Sequence, residues 1–217
     1  MPTSQPASQL WTTAQDWAAA QGLQLGALRR PSPWGTSVPG TRADGLPVTL
    51  LLGRRFDPWG VESEREVLQL LAANRRPHVL PILGWACFGS NSYQCVSFHE
   101  TATADFRTLL EQQSVSPALA AQAAWHTARA LAHLHELAVV HRQLAPENIF
   151  LFCGCNTIVK VGGFQEAILC KSGVQKMPLC CSNIPHKAPE QWLQAVGGGE
   201  NYGLPADLWS FGWTPKA

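Results

Sequence analysis

The sequence has almost no excess of charge of either sign. Its 16 lysines and arginines face 15 aspartates and glutamates, which leaves a net charge of +1. Such a chain offers no broad basic field, so we expect neither nucleic acid nor an anionic membrane as a partner. It also lacks the roughly 18 to 20 consecutive apolar residues of a membrane-spanning helix and the basic, then apolar, start of a secretory signal. These absences predict a cytoplasmic protein.

The cysteines lack the even framework of a disulfide-stapled secreted domain, because there are seven of them. We therefore expect reduced thiols. Cys153 and Cys155 are separated by one residue, and Cys180 directly precedes Cys181. Structural zinc sites instead use a C-x-x-C spacing with a second pair of ligands. The sequence predicts no metal site.

What the sequence does have is enough apolar material for a core. Of its 217 residues, 46% are hydrophobic and 14% are charged, as in a globular domain. Residues 1–9 are mostly small or polar and suggest a loose terminus. The apolar spacing over residues 10–23 predicts a short amphipathic helix.

The most informative stretch is residues 141–151, HRQLAPENIFL, with VKVGGFQ following at residues 159–165. These segments resemble the H-R-D-L-x-x-x-N loop and the D-F-G motif of protein kinases. An A-P-E motif follows at residues 188–190, and DLWSFG at residues 207–212 resembles the opening of the central helix of the kinase C-lobe. The motifs occur in the family's order, and the resemblance to the protein kinase superfamily extends over about residues 25–212.

This resemblance implies an α+β, two-lobed kinase-like fold. A small β-rich N-lobe would take about residues 25–100 and a mainly helical C-lobe about residues 101–217, after an N-terminal extension at residues 1–24. The sequence ends soon after the DLWSFG motif, and Pro215 should stop that helix. We therefore expect a C-lobe without its last helices. RRPHVLPILG at residues 75–84 resembles the tyrosine-kinase-like branch.

The catalytic positions that the family would use are substituted. Gln143 stands where the family has its catalytic aspartate, and an amide cannot take the proton of a substrate hydroxyl. Gly163 stands at the position of the metal-binding aspartate and carries no ligand atom. Asn148 retains one amide oxygen. No catalytic residue is therefore predicted to be intact.

The positions that would hold ATP phosphates are also degenerate. Residues 30–38 keep only Gly35 of the family's three loop glycines. The lysine position falls at residues 51–52, which are both leucine, and Arg54 or Arg55 is a poor substitute for a compact ammonium group. The sequence predicts no cofactor, and ATP stays open only because hinge backbone groups can bind adenine whatever the side chains. In that event the contacting residues would be Gly35, Ser97, Phe98, Glu100 and Asn148.

The positions that the resemblance assigns to internal architecture are retained. They would link the catalytic loop to the core and to the central helix, or begin the helix after the activation segment. They are Glu66, Leu70, His141, Arg142, Phe164, Ala188, Pro189, Glu190 and Asp207.

Retained architecture without catalytic groups is typical of a pseudokinase. The resemblance implies a scaffold or regulator that binds a protein, for example an active kinase or a signalling complex. Two alternatives stay open: an atypical, weakly active ATP-dependent protein kinase, and a truncated isoform or gene-model fragment with no independent function.

Overall fold

The computed structural model describes residues 7–27, 35–53, 58–88, 94–170, 174–176, 186–195 and 201–213. The chain divides into two compact units. The first consists of Met1–Ala73 and Pro81–Thr101, and the second consists of Asn74–Leu80 and Ala102–Ala217.

The first unit is built on a five-stranded antiparallel sheet. Its strands are β1 (Leu23–Leu25), β2 (Gly35–Arg42), β3 (Pro47–Gly53), β4 (Gly84–Phe88) and β5 (Gln94–Glu100). They lie in the order β1-β2-β3-β5-β4, and every pairing is antiparallel. The helix Pro58–Ala73 lies between β3 and β4 in the chain.

An Asp-Gly turn closes the β2–β3 hairpin. Gly45 has φ +85°, a left-handed conformation that costs glycine little. Its N–H donates to the carbonyl of Arg42, and the carboxylate of Asp44 accepts from the N–H of Leu46 at 3.2 Å. The Arg42 guanidinium pairs with Asp44 and lowers the pKa of that carboxyl.

Two helices accompany this sheet, α1 (Ala7–Ala20) and α2 (Pro58–Ala73). Ala14 and Ala18 of α1 are fully buried in the same apolar cluster as Val38 and Val48 of the sheet. Helix α1 therefore contributes Ala14 and Ala18 to the first unit's core; the sequence predicted a helix over residues 10–23.

Cys87 and Cys95 correct the expectation of reduced thiols. The register of β4 and β5 places them directly opposite each other, with Cα atoms 4.1 Å apart, and their sulfurs are joined in a disulfide. The odd cysteine count hid this pair because it depends on strand register rather than on sequence spacing. Cys153 and Cys155 are exposed free thiols, and Cys170 is buried.

The second unit is mainly helical. Its helices are α3 (Phe106–Glu111), α4 (Pro117–Glu136), α5 (Pro189–Ala195) and α6 (Pro205–Trp213). The sequence favours α4 strongly at its start, because Ser116 caps it by accepting from the N–H of Leu119 and a proline occupies the first helical position.

Small sheets complete the second unit. Strand β6 (Ala104–Asp105) pairs with β8 (Ile149–Phe152), which pairs with β9 (Ile158–Val161). Two further antiparallel pairs join β7 (Val139–Val140) to β10 (Ile168–Leu169) and β11 (Val174–Lys176) to β12 (Asn201–Gly203). A sheet-based unit and a mainly helical unit confirm the predicted α+β class. Among the described residues no helix is both long and apolar enough to cross a bilayer.

Candidate functional site

The loop that begins at His141 is the most tightly buried segment of the second unit. The side chain of His141 is fully buried, and its Nε2 lies 2.8 Å from the carbonyl oxygen of Gly162. Because a carbonyl only accepts, Nε2 carries the proton, and Nδ1 accepts from the N–H of Gln143 at 3.2 Å. Burial lowers the pKa of His141, which keeps this tautomer neutral.

Asp207 connects this loop to α6. Its carboxylate is fully buried and accepts from the backbone N–H of His141 at 2.8 Å and of Arg142 at 2.9 Å. A third contact, 3.0 Å long, comes from Nε2 of His135 on α4. Three donors make this buried charge tolerable, and together they hold the loop, α4 and α6 in one arrangement.

Phe164 supports the same loop from its other side. Its ring is buried and meets the His141 ring edge-on, with centroids 5.3 Å apart. Phe164 begins a 3₁₀ turn, Phe164–Glu166, directly after the left-handed Gly163.

The position of the family's catalytic base is occupied by the amide side chain of a buried residue. Gln143 is buried, and its backbone carbonyl accepts from Nδ2 of Asn148 at 2.7 Å. The side chain of Asn148 is therefore tied to the loop that contains Gln143. Neither residue supplies a carboxylate for proton abstraction.

The metal-aspartate position is closed by Asn148. Gly163 has φ +80°, and a Cβ placed on it would overlap the Oδ1 and Cγ atoms of Asn148. The family's magnesium chemistry requires an acidic ligand here, and this geometry leaves room only for glycine while Asn148 keeps its position. No group of three or more His, Cys, Asp and Glu side chains that could hold a metal occurs within the described ranges. These residues do not fit a magnesium ion.

The side chain of Arg142 is held by contacts within the second unit. It adopts φ +66° and is buried. One guanidinium nitrogen lies 4.0 Å from the Glu166 carboxylate, and its carbon lies 5.8 Å from the centroid of the Tyr202 ring. Arg142 is thus held by an acid and an aromatic face of the same unit.

The A-P-E segment begins α5. Ala188 is buried and its N–H donates to the side-chain oxygen of Gln191 at 3.0 Å, Pro189 opens the helix, and Glu190 is half-buried. Partial exposure lets water solvate the Glu190 carboxylate, which avoids the cost of a fully buried charge.

Helix α2 carries two neighbouring acids that differ in burial. Glu66 is exposed, whereas Glu64 is buried with 4% of its surface accessible. Leu70 is half-buried, whereas Leu68 is buried. Glu64 lies three and four residues before Val67 and Leu68, so helical periodicity places it on the buried face. That periodicity was the signal that the motif alignment overlooked.

The predicted hinge residues lie on β5. Ser97 and Phe98 are buried and Glu100 is half-buried. Nδ1 of the intervening His99 lies 2.8 Å from the carbonyl oxygen of Glu100, and burial lowers the pKa of His99. Gly35 opens β2 opposite Gly53. These four predicted positions belong to the first unit and Asn148 to the second.

The lysine position has no basic side chain. Leu51 is half-buried and Leu52 is buried, and the sequence contains no lysine before Lys160. Arg54 and Arg55, the proposed substitutes, lie outside the described residues, as does most of the predicted phosphate loop.

Comparison with known proteins agrees with this architecture. The protein kinase domain family matches residues 58–215, well over half of the chain. The serine/threonine-protein kinase kin-29 of Caenorhabditis elegans is 36% identical over 108 residues, which cover 49% of this chain and 12% of that protein. Serine/threonine-protein kinase SIK2 of Gallus gallus is 26% identical over 158 residues, covering 73% of this chain and 19% of that protein. Protein-tyrosine kinase 6 of Homo sapiens is 40% identical over 91 residues, covering 41% and 18%.

The aligned parts thus span less than a fifth of the length of these relatives. The family match includes both the His141 loop and the helix that carries Asp207. From the matched residues and the geometry of this loop, we conclude that the chain belongs to the protein kinase domain family.

Proposed function

We propose that this chain is a pseudokinase, a catalytically inactive protein-kinase-like domain that acts as a scaffold or regulator by binding a protein. The observation that carries the proposal is the contact between Gly163 and Asn148. It occupies the space that a metal-binding side chain would need. Phosphoryl transfer depends on positioning and on metal-assisted charge stabilisation, so a site without that ligand has little means of lowering the barrier.

The base position supports the same proposal. Gln143 has no basic oxygen to accept the proton of a substrate hydroxyl, and its backbone carbonyl already accepts from Asn148. Both the metal ligand and the base are therefore missing from one loop system.

The hydrogen bonds that hold this loop in place are nevertheless present. Asp207 accepts from three donors, and the His141 ring is held at both nitrogens. A folded framework without the reactive groups suits binding rather than catalysis. We expect the partner to be a protein, such as an active kinase or another member of a cytoplasmic signalling complex.

The branch of the superfamily is also a proposal. The RRPHVLPILG segment favours the tyrosine-kinase-like branch, while the relatives carry the names of both serine/threonine and tyrosine kinases.

The names of those relatives favour one second candidate, a weakly active ATP-dependent protein kinase. Such an enzyme would have to rely on the amide oxygen of Asn148, since neither Gln143 nor Gly163 offers a carboxylate. Hard divalent cations prefer several charged oxygen ligands, so we rank this candidate second.

The test is thermal unfolding of the purified chain with ATP, with magnesium added or chelated, beside an assay of phosphate transfer to peptide substrates. We expect no transfer and no magnesium-dependent rise in the unfolding temperature, since only a ligand that binds the native state raises stability. Magnesium-dependent transfer that disappears in Asn148→Ala would instead establish the enzyme.

A further inference from the structure

Two segments of the second unit line an open cavity of about 170 Å³. Its polar lining comes from Arg76 and His78, which follow α2 in the chain, and from Arg129, His133 and Glu136 on α4. None of these residues belongs to the catalytic-loop region, and none was singled out as a ligand in the sequence.

The mouth of the cavity is cationic. Arg76 and Arg129 are both exposed, and within the described part of the chain no carboxylate lies within 4.0 Å of either guanidinium. The Arg129 guanidinium carbon lies 5.6 Å from the centroid of the Trp125 ring, a contact that limits its range of positions. Glu136 is the single acid in the lining.

The wall contains a buried nitrogen that lacks a partner. His133 is only 7% exposed, and its Nε2 donates to the carbonyl oxygen of Asn74 at 3.1 Å. Its Nδ1 makes no hydrogen bond within the described structure, since the Glu136 carboxylate is 3.7 Å away. A buried polar atom left in this state costs stability unless a ligand or water satisfies it.

A second imidazole nitrogen in the lining is also buried without a hydrogen bond among the described residues. Nδ1 of His78 is closed off from solvent and makes no hydrogen bond among the described residues. The His78 ring is held in place, because it stacks on His126 with centroids 4.1 Å apart and meets Trp125 edge-on at 5.5 Å.

We propose that this cavity binds a phosphate group, either free or as a phosphomonoester. Two guanidinium groups present forked donors that match the oxygens of a tetrahedral anion. Because Nε2 of His133 carries the proton, its Nδ1 is an acceptor and can take the P–OH hydrogen of a singly protonated phosphate. The volume accommodates one group of this size, and the rest of a phosphomonoester would extend through the open mouth. The site is separate from the proposed pseudokinase function and does not depend on it.

The experiment titrates the full chain, labelled with ¹⁵N, with inorganic phosphate at constant ionic strength and follows the imidazole resonances. The test variant is Arg76→Gln with Arg129→Gln. The control variant is Arg65→Gln with Arg75→Gln, which removes the same charge from two exposed arginines outside the cavity. Circular dichroism verifies that both variants are folded.

We expect saturable shifts of the His78 and His133 resonances in the parent chain. Affinity should fall by roughly tenfold for each cavity arginine removed, the usual weight of a charge-assisted hydrogen bond, and by less than about twofold in the control. Equal weakening in both variants, or shifts that never saturate, would overturn the proposal, because general charge screening would then explain the effect.

Titration with a phosphoserine peptide distinguishes a phosphorylated protein from a small phosphate compound as the source of the bound phosphate. Binding tighter than that of inorganic phosphate points to a phosphorylated protein, and equal binding points to a small phosphate compound. Equally tight binding of the same peptide with glutamate in place of phosphoserine would contradict a phosphate site and indicate a carboxylate site.

Discussion

At the scale of single residues, the Asn148 amide lies in the space that a side chain in place of Gly163 would need. The glycine has φ +80°, a conformation that other residues adopt at a cost, and its missing Cβ leaves the space that the Asn148 amide occupies. An aspartate at position 163 would therefore meet both backbone strain and a steric conflict. The loss of the metal ligand is built into the packing of the loop.

Alanine substitutions separate these two costs. Gly45→Ala meets only the left-handed strain, since a Cβ there has nothing within 4 Å, and we expect it to lower the free energy of unfolding by about 1 kcal/mol. Gly163→Ala should cost about 2–4 kcal/mol, because overlap with Asn148 is added to the strain. Urea unfolding of both variants measures the difference.

The double variant Gly163→Ala with Asn148→Ala provides the control. Removing the amide should recover part of the cost of Gly163→Ala, giving a non-additive cycle. Equal losses for Gly45→Ala and Gly163→Ala, or strictly additive effects in the cycle, would show that the two side chains do not compete for space.

At the scale of elements, α6 has two contrasting faces. Asp207, Ala206 and Ser210 are buried, and the Ser210 hydroxyl donates to the carbonyl of His186 at 2.7 Å. Leu208 and Trp209 are 55% and 44% exposed. Adjacent positions on this helix thus differ sharply in how they tolerate a polar side chain.

Leu208→Gln and Ala206→Gln test this contrast two residues apart. Leu208→Gln should leave the unfolding temperature nearly unchanged and reduce self-association, because it removes exposed apolar surface. Ala206→Gln should destabilise by roughly 2–4 kcal/mol, because its site is 1% exposed and cannot house a long amide. Thermal unfolding and sedimentation velocity measure the two effects. A destabilising Leu208→Gln would mean that this face is covered in the native protein.

At the scale of the whole molecule, buried histidines link stability to pH. Burial is the first cause of a lowered pKa at His99 in the first unit and at His126, His141 and His186 in the second. The ordinary pKa of a histidine side chain is 6.5. Below pH 6.5 the unfolded chain therefore binds protons at these histidines, whereas the folded chain, in which their pKa is lower, does not yet bind them. The contribution of these four neutral histidines to the free energy of unfolding is fully present above pH 6.5 and is lost as the pH falls below it.

We therefore expect the urea midpoint to stay level between pH 7.5 and 6.5 and to fall from pH 6.5 to about pH 5, a window in which carboxylates stay largely ionised. His126→Gln should flatten that slope, because an amide oxygen can still accept from the N–H of Val159 but does not titrate. A midpoint that is constant or rises toward pH 5 would contradict the assignment of neutral, buried imidazoles.

The motif residues that pack inside the second unit were accessible from the sequence. His141, Phe164 and Asp207 lie together at the loop, and the resemblance to the family's motifs is what pointed to these three positions. The difference between Glu64 and Glu66 on α2 was accessible only through helical periodicity, because both residues satisfy the composition of the motif. Cys87 and Cys95 paired against expectation because strand register is a property of the sheet.

The sequence alone determined the α+β class, the order of the motifs and the absence of reactive side chains at positions 143 and 163, because residue identity decides which atoms are present. Tertiary structure alone decided that Asn148 fills the space beside Gly163 and that His133 lies buried beside two arginines 53 residues apart. Such contacts depend on backbone conformation and on helix packing over long sequence separations. Neither is encoded in a local pattern that can be read along the chain.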